Sequence, residues 1–137
     1  MKVLIACEYS GTVRDEFIRL GHDAISCDLL ATDKPGPHYQ GDVFDIINDG
    51  FDLMIAHPPC TYLTIAAEWA YKPPEQINKK LDPKKLYGEK RKQARIQALE
   101  FITKLWDCGI DKICIENPVG CIKNRIVAEK SGTAKND

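Results

Sequence analysis

The chain has 137 residues, 44% of them hydrophobic and 28% charged, with a formal net charge of −1. That length is enough for one compact domain with a real core and not enough for two. The near-neutral balance excludes a general polycation, and no apolar run approaches the roughly 18 residues of a membrane span.

VLIAC (3–7) is a short continuous apolar run, the pattern of a strand buried on both faces. Met1-Lys2 leads straight into it, leaving no room for a signal peptide, so a cytoplasmic location is expected. The turn EYSG follows, then a helix from about Thr12 to Leu20. Thr12 with Asp15 makes a capping-box-like start, Val13, Phe17 and Leu20 share a face, and Gly21 serves as the stop. DAISC (23–27) predicts a second strand. The loop TDKPGPHYQ carries no helical pattern and abbreviates the next crossover. A brief strand at His38 to Gln40 ends at Gly41-Asp42, with a short helix over Val43 to Ile47. FDLMIA (51–56) is the next strand, ended by the prolines of HPPC. After a polar insertion, Ala94, Ala98, Phe101, Ile102 and Leu105 predict a helix from about Glu89 to Asp107. DKICIE (111–116) is the last clear strand, and 123–137 is a polar tail.

Strands alternating with helices predict an open, mostly parallel α/β sheet of Rossmann-like type, with ligands beyond the carboxyl ends of the strands. The residues at those ends are Cys7-Glu8, Asp28, Asp42, His57 to Cys60 and Glu116-Asn117-Pro118. Asp28, about 20 residues after the first turn, stands where a carboxylate accepts from a ribose diol. CEYSG has one glycine and no GxGxxG, so a nucleoside without phosphates fits better than a dinucleotide. Asp42 is placed to accept from an exocyclic amine such as that of adenine. For any one of these carboxylates a solvated loop entrance is the plain alternative.

A thiol mounted after two prolines is expected to act as a nucleophile. A glutamate at a neighbouring strand end, Glu116, can hydrogen-bond or protonate a ring nitrogen. The six cysteines form no CxxC pair, which fits reduced thiols better than a disulfide framework or a zinc site. Cys108, Cys114 and Cys121 are the one loose metal candidate, and no metal is expected. Between Lys72 and Arg95 nine Lys/Arg stand against three Asp/Glu, a local excess of +6 that leaves −7 for the rest. With Tyr62, Trp69, Tyr71 and Tyr87 around it, this basic insertion suits a phosphate backbone, or equally a solvated lysine-rich face.

PPC (58–60), followed one strand later by IENP (115–118), is similar to the catalytic pair of the cytosine-C5 DNA methyltransferases. ACEYSG (6–11) stands where that family's S-adenosylmethionine turn lies, Asp28 at its ribose-binding acid and GDV (41–43) at its adenine-contacting acid. Residues 1–122 resemble the compact phage and prophage members, with 61–90 as a basic insertion. The resemblance implies S-adenosylmethionine-dependent methyl transfer to C5 of cytosine in DNA, in a bacterial cell or phage-infected host. Cys60 would add to C6 of a flipped base and Glu116 would support the charge at N3. Cys7, Glu8, Ser10, Gly11, Asp28, Leu29, Asp42, Val43 and Pro58 would hold the cofactor. Pro59, Asn117, Pro118, Lys79, Lys80, Lys84 and Lys85 would meet the DNA.

The first motif lacks the family's usual glycine pair, and Thr61 stands where glutamine usually follows the cysteine. Only 19 residues follow Pro118, so the family's arginine motif, target-recognition region and last strands are expected to be missing; Arg125 stands in the wrong context to replace that arginine. A catalytically incomplete module that binds S-adenosylmethionine or nucleic acid is therefore the alternative. An exocyclic-amine methyltransferase would carry an aromatic ring where Cys60 stands, and a Cys60/His57 hydrolase lacks an orienting third residue. With the later strands missing, 111–116 would be an open edge, and a homodimer through it is expected.

Overall fold

The computed structural model describes residues 1–117. Five strands form one all-parallel sheet in the order β3-β2-β1-β4-β5: β1 (Lys2–Ala6), β2 (Asp23–Asp28), β3 (His38–Gln40), β4 (Leu53–Ala56) and β5 (Lys112–Ile115). Two helices accompany them, α1 (Thr12–Arg19) and α2 (Gly88–Trp106). Each lies within a residue or two of its expected bounds. The Val43 to Ile47 segment is shorter than expected, a single 3-10 turn over Val43–Asp45.

Contacts gather the described residues into two compact units, 1–58 with 105–117, and 59–104. The first holds the whole sheet. Val3, Leu4, Ile5 and Ala6 are fully buried, as continuous apolar runs require when both faces are covered. On one face Val3, Ile5 and Ala24 form a core with Val13 and Phe17 of α1 packed against it. Leu20 does not join them; it is 61% exposed, because α1 ends at Arg19 and Gly21 turns the chain away with φ +91°. The order reverses at β1, with β2 and β3 on one side and β4 and β5 on the other. That reversal is the switch point where open parallel sheets offer a crevice. No helix among the described residues is long and apolar enough to cross a membrane.

The second unit is built from what the sequence presents as a polar insertion. Two 3-10 segments, Ile65–Tyr71 and Pro74–Gln76, precede the part of α2 that belongs to this unit. Leu63, Ala70, Tyr71 and Ile102 are buried in it, and so are Arg91 and Arg95.

Candidate functional site

Because every pair is parallel, the carboxyl ends of all five strands share one rim. The hydrogen-bond ladder runs one step past each strand and fixes the residues that follow. Glu8 N donates to Cys27 O (3.1 Å), His57 N to Ala6 O (3.0 Å), Glu116 N to Ala56 O (2.9 Å) and Gly41 N to Asp28 O (2.9 Å). Cys7, Glu8, Asp28, Asp42, His57, Pro58, Glu116 and Asn117 are thus brought to the same edge of the sheet unit. Pro118 lies outside the described residues.

The turn after β1 explains the lone glycine. Cys7 takes the left-handed conformation (φ 59°), uncommon for a residue with a side chain and frequent at functional sites. It directs the chain so that Glu8, 6% exposed, lies under the start of α1. Glu8 Oε1 accepts from Val13 N (2.7 Å) and Ser10 Oγ (3.0 Å), and Oε2 from Arg14 N (3.3 Å). Thr12 N donates to Ser10 Oγ (3.3 Å) and Asp15 N to Gly11 O (3.0 Å). The first amides of α1 are therefore all taken from within. This corrects the capping box: the N-cap is Gly11 (φ 78°), with no side-chain cap of its own, and Asp15 pairs with Arg14 instead. A phosphate finds no free amides here, whereas a neutral nucleoside needs none.

Asp28 and Asp42 are held by short local turns. Asp28 Oδ1 accepts from Leu30 N (2.8 Å), and Asp42 Oδ1 from Phe44 N (2.9 Å) at the start of the 3-10 turn that buries Val43. Burial pushes the Cys7 thiol up to about 12, with Asp28, Cys27 and Asp42 adding to the effect. Burial likewise pushes Cys27 up to about 11, helped by Asp28, Asp42 and Asp45. Two carboxylates thus bear on the same two thiols, and both thiols stay protonated and unreactive at neutral pH. Leu29 and Leu30, 74% and 58% exposed, follow Asp28 directly, and Tyr9 is 45% exposed in the turn after β1. At the other side of the switch point, Asn117 Nδ2 donates to Pro58 O (3.4 Å). His57 Nδ1 and Asn117 Oδ1 are buried there without a hydrogen-bond partner. A buried polar atom left unpaired costs about 1–3 kcal/mol, which a polar ligand offsets.

One residue of this rim gives no sign of itself in the sequence. Arg14, in the first turn of α1, is completely buried. It donates to Ser26 Oγ (3.0 Å), Thr32 Oγ1 (3.1 Å), Lys34 O (2.9 Å) and, at longer range, Pro35 O and Pro37 O. The loop after Asp28 is folded around its guanidinium. Gly11 and Gly36 make the slot: a Cβ would stand 2.5 Å and 2.7 Å from Arg14 Nη2. Gly11, expected as a cofactor residue, therefore has a structural reason of its own.

Pro59, Cys60, Lys79, Lys80, Lys84 and Lys85 belong to the second unit. Cys60 is a free, partly exposed thiol. Its carbonyl accepts from Leu63 N (3.0 Å) and Thr64 N (3.2 Å). Thr61 O accepts from Arg91 Nη2 (3.2 Å), and Tyr62 O from Arg95 Nε (3.0 Å) and Tyr71 Oη (2.8 Å). The lysines are exposed; Lys79 Nζ lies 4.3 Å from the Trp69 ring centroid, and Lys84 and Lys85 follow Asp82 in a turn. The aromatics of this unit serve packing: Tyr71 is buried, and the Trp69 and Tyr87 rings meet at a tilt of 40° with centroids 6.1 Å apart. Of the metal candidates, Cys108 and Cys114 are free thiols, and Cys121, like Arg125 and the tail from 123, lies outside the described residues. Compared with protein-family models, with curated proteins and with solved structures, the chain gives no significant match.

Proposed function

We propose that the chain is an S-adenosylmethionine-dependent methyltransferase, with the fold of that class, acting on C5 of cytosine in DNA. The observation that carries this reading is the single rim of a parallel sheet ordered β3-β2-β1-β4-β5, bearing Glu8, Asp28, Asp42, His57-Pro58 and Glu116-Asn117, with Cys60 two residues further along the chain. The cofactor class fits the residues present. Glu8 fills the place a phosphate would take, Asp28 and Asp42 offer acceptors to a diol and an amine, and Leu29, Leu30 and Tyr9 offer apolar surface to a purine.

S-adenosylmethionine, when bound, supplies the methyl group. Cys60 provides the thiolate that bonds C6 of the cytosine, sending electron density to C5 while Glu116 stabilises the charge at N3. Loss of the C5 proton and of the thiolate then restores the ring and frees Cys60. Pro59 and Asn117 meet the DNA, and Lys79, Lys80, Lys84 and Lys85 neutralise phosphates.

DNA carrying 5-fluorocytosine tests the reading, since fluorine cannot leave C5 as a cation and the thioether persists. With S-adenosylmethionine present, a denaturing gel should show a shifted protein–DNA band. Cys60→Ala should abolish it and Cys108→Ala should leave it. No cofactor-dependent band would rule out catalysis by this chain; calorimetric binding of S-adenosylmethionine without a band would favour a binding module.

A further inference from the structure

Three successive carbonyls at the nucleophile's position, those of Cys60, Thr61 and Tyr62, are each held by a donor inside the second unit. Two of the donors are guanidiniums from one face of α2. Arg91 and Arg95 are 6% and 9% exposed, four residues apart, and continue the buried stripe of Ile102 and Leu105. Two cations side by side on a buried stripe cost desolvation and repel each other. That cost is offset locally in part, Arg91 Nε being left buried without a hydrogen-bond partner among the described residues. Glu68 pairs with Arg95, the Tyr71 ring centroid lies 3.7 Å from Arg95 Cζ and 5.1 Å from Arg91 Cζ, and Tyr62 lies 5.2 Å from Arg91 Cζ. Leucines would fill the same stripe without these compensations. What arginine adds is a reach of 30 and 33 residues back along the chain to main-chain oxygens beside Cys60.

We propose that Arg91 and Arg95 are positioning residues for Cys60: they hold the loop after the thiol in one conformation before substrate arrives, and are no part of the DNA-facing basic surface. This rests on the reading of Cys60 as the nucleophile. The basic insertion therefore divides by role. Lys72, Lys79, Lys80, Lys84, Lys85, Lys90 and Lys92 are exposed, and the two arginines are turned inward. The division uses the chemistry of each side chain. A planar fork suits paired carbonyls, whereas a hydrated ammonium suits a phosphate reached through solvent. Arg91 Nη1 also donates to Leu86 O (3.3 Å), so one fork ties the Cys60 loop to the residues just before α2.

The test compares Arg91→Lys and Arg95→Lys, which keep the charge and lose the fork, with Tyr71→Phe, which loses only the hydroxyl to Tyr62 O. Amide hydrogen exchange at Leu63 and Thr64, with β1 as reference, reads the loop. Losing a bond to a charged donor should speed exchange there about 10-fold in the arginine variants, and the neutral Tyr71 bond about 3- to 5-fold, with β1 unchanged. Turnover should fall by about 10-fold or more with KM for DNA unchanged, since displacement of a nucleophile by about 1 Å acts on the chemical step. Lys84→Gln should do the reverse, raising KM and lowering the salt slope by about 0.9. Arginine variants that raise KM, flatten the salt dependence and leave exchange at Leu63 and Thr64 as in wild type would overturn the proposal. If the wild-type chain transfers no methyl group, the reading of Cys60 as nucleophile fails on its own. Exchange, with the rate of Cys60 alkylation by iodoacetamide relative to Cys108, then still decides whether the clamp exists. If Arg95→Lys does not fold, Arg91→Lys with wild-type exchange at Leu63 and Thr64 overturns it equally.

Discussion

Glu8 shows how one side chain decides which ligands a turn can take. A glycine-rich turn leaves its helix amides open to a phosphate; here a carboxylate from the chain itself accepts from Val13 N and Arg14 N. Recognition is then left to groups further along the rim, and Asp28 is the one with the clearest task. Its Oδ1 is fixed by Leu30 N, so the carboxylate is already oriented for the ribose diol that the proposed function assigns to it. Asp28→Ala should weaken S-adenosylmethionine binding by at least about 1.5 kcal/mol, the scale of hydrogen bonds to a charged group. Titration calorimetry reads this directly, and unchanged affinity would remove the ribose assignment. Glu8 is legible in the sequence because it follows a continuous apolar run, and Asp28 because it ends the second predicted strand about 20 residues after the first turn. Glu8's partners are not legible, since they depend on Cys7 adopting a left-handed conformation that no local rule assigns to cysteine.

At the scale of elements, the apolar faces of the helices are read correctly except for Leu20, and the charged residues within those faces are missed. Arg14 lies beside Val13 and Phe17 on the buried side of α1, and Arg91 and Arg95 lie in register with Ile102 and Leu105 on α2. The i, i+4 spacing of the α2 pair was a usable signal. Nothing local announces Arg14, whose partners are carbonyls and hydroxyls of a Pro/Gly loop some 20 residues away. The loop and helix form one clamp, and its weak point is Gly36. A Cβ there would stand 2.7 Å from Arg14 Nη2 and 2.8 Å from Cζ. The guanidinium cannot step aside without losing Ser26, Thr32 and Lys34. Gly36→Ala should therefore cost about 1–3 kcal/mol, measured by urea unfolding, as overpacking does. Gly36 does not have the positive φ of Gly11 and Gly21, so the contact alone is at issue. Combined with Arg14→Met, the Gly36→Ala increment should largely vanish; full additivity would show that the guanidinium is not what the glycine accommodates.

For the whole molecule, the open parallel α/β class is what the one-dimensional pattern conveys best, because alternation of strand and helix leaves few other arrangements. The packing of the insertion into a unit with its own buried residues is what that pattern conveys least, since arginines and tyrosines supply much of its interior. The order β3-β2-β1-β4-β5 also sets the edges. β3 is three residues long and bears His38, whose ring bonds Ser26 Oγ (2.7 Å) and Leu30 O (2.9 Å), so that edge is short and tied down. β5 is different. Among the described residues it pairs with β4 alone, through Leu53↔Lys112 to Ala56↔Ile115. Its outer row of N–H and C=O groups is flanked by half-buried Ile113 and Ile115, and by exposed Lys112 and Cys114. One lysine is a weak deterrent to pairing with another chain. Association through this edge is therefore expected, as a two-fold dimer with the same strand antiparallel in both copies. Sedimentation at micromolar concentration should show a dimer, and Ile113→Lys should shift it toward monomer by placing a second cation on the edge. A monomer whose β5 amides resist hydrogen exchange would mean instead that the edge is covered within its own chain.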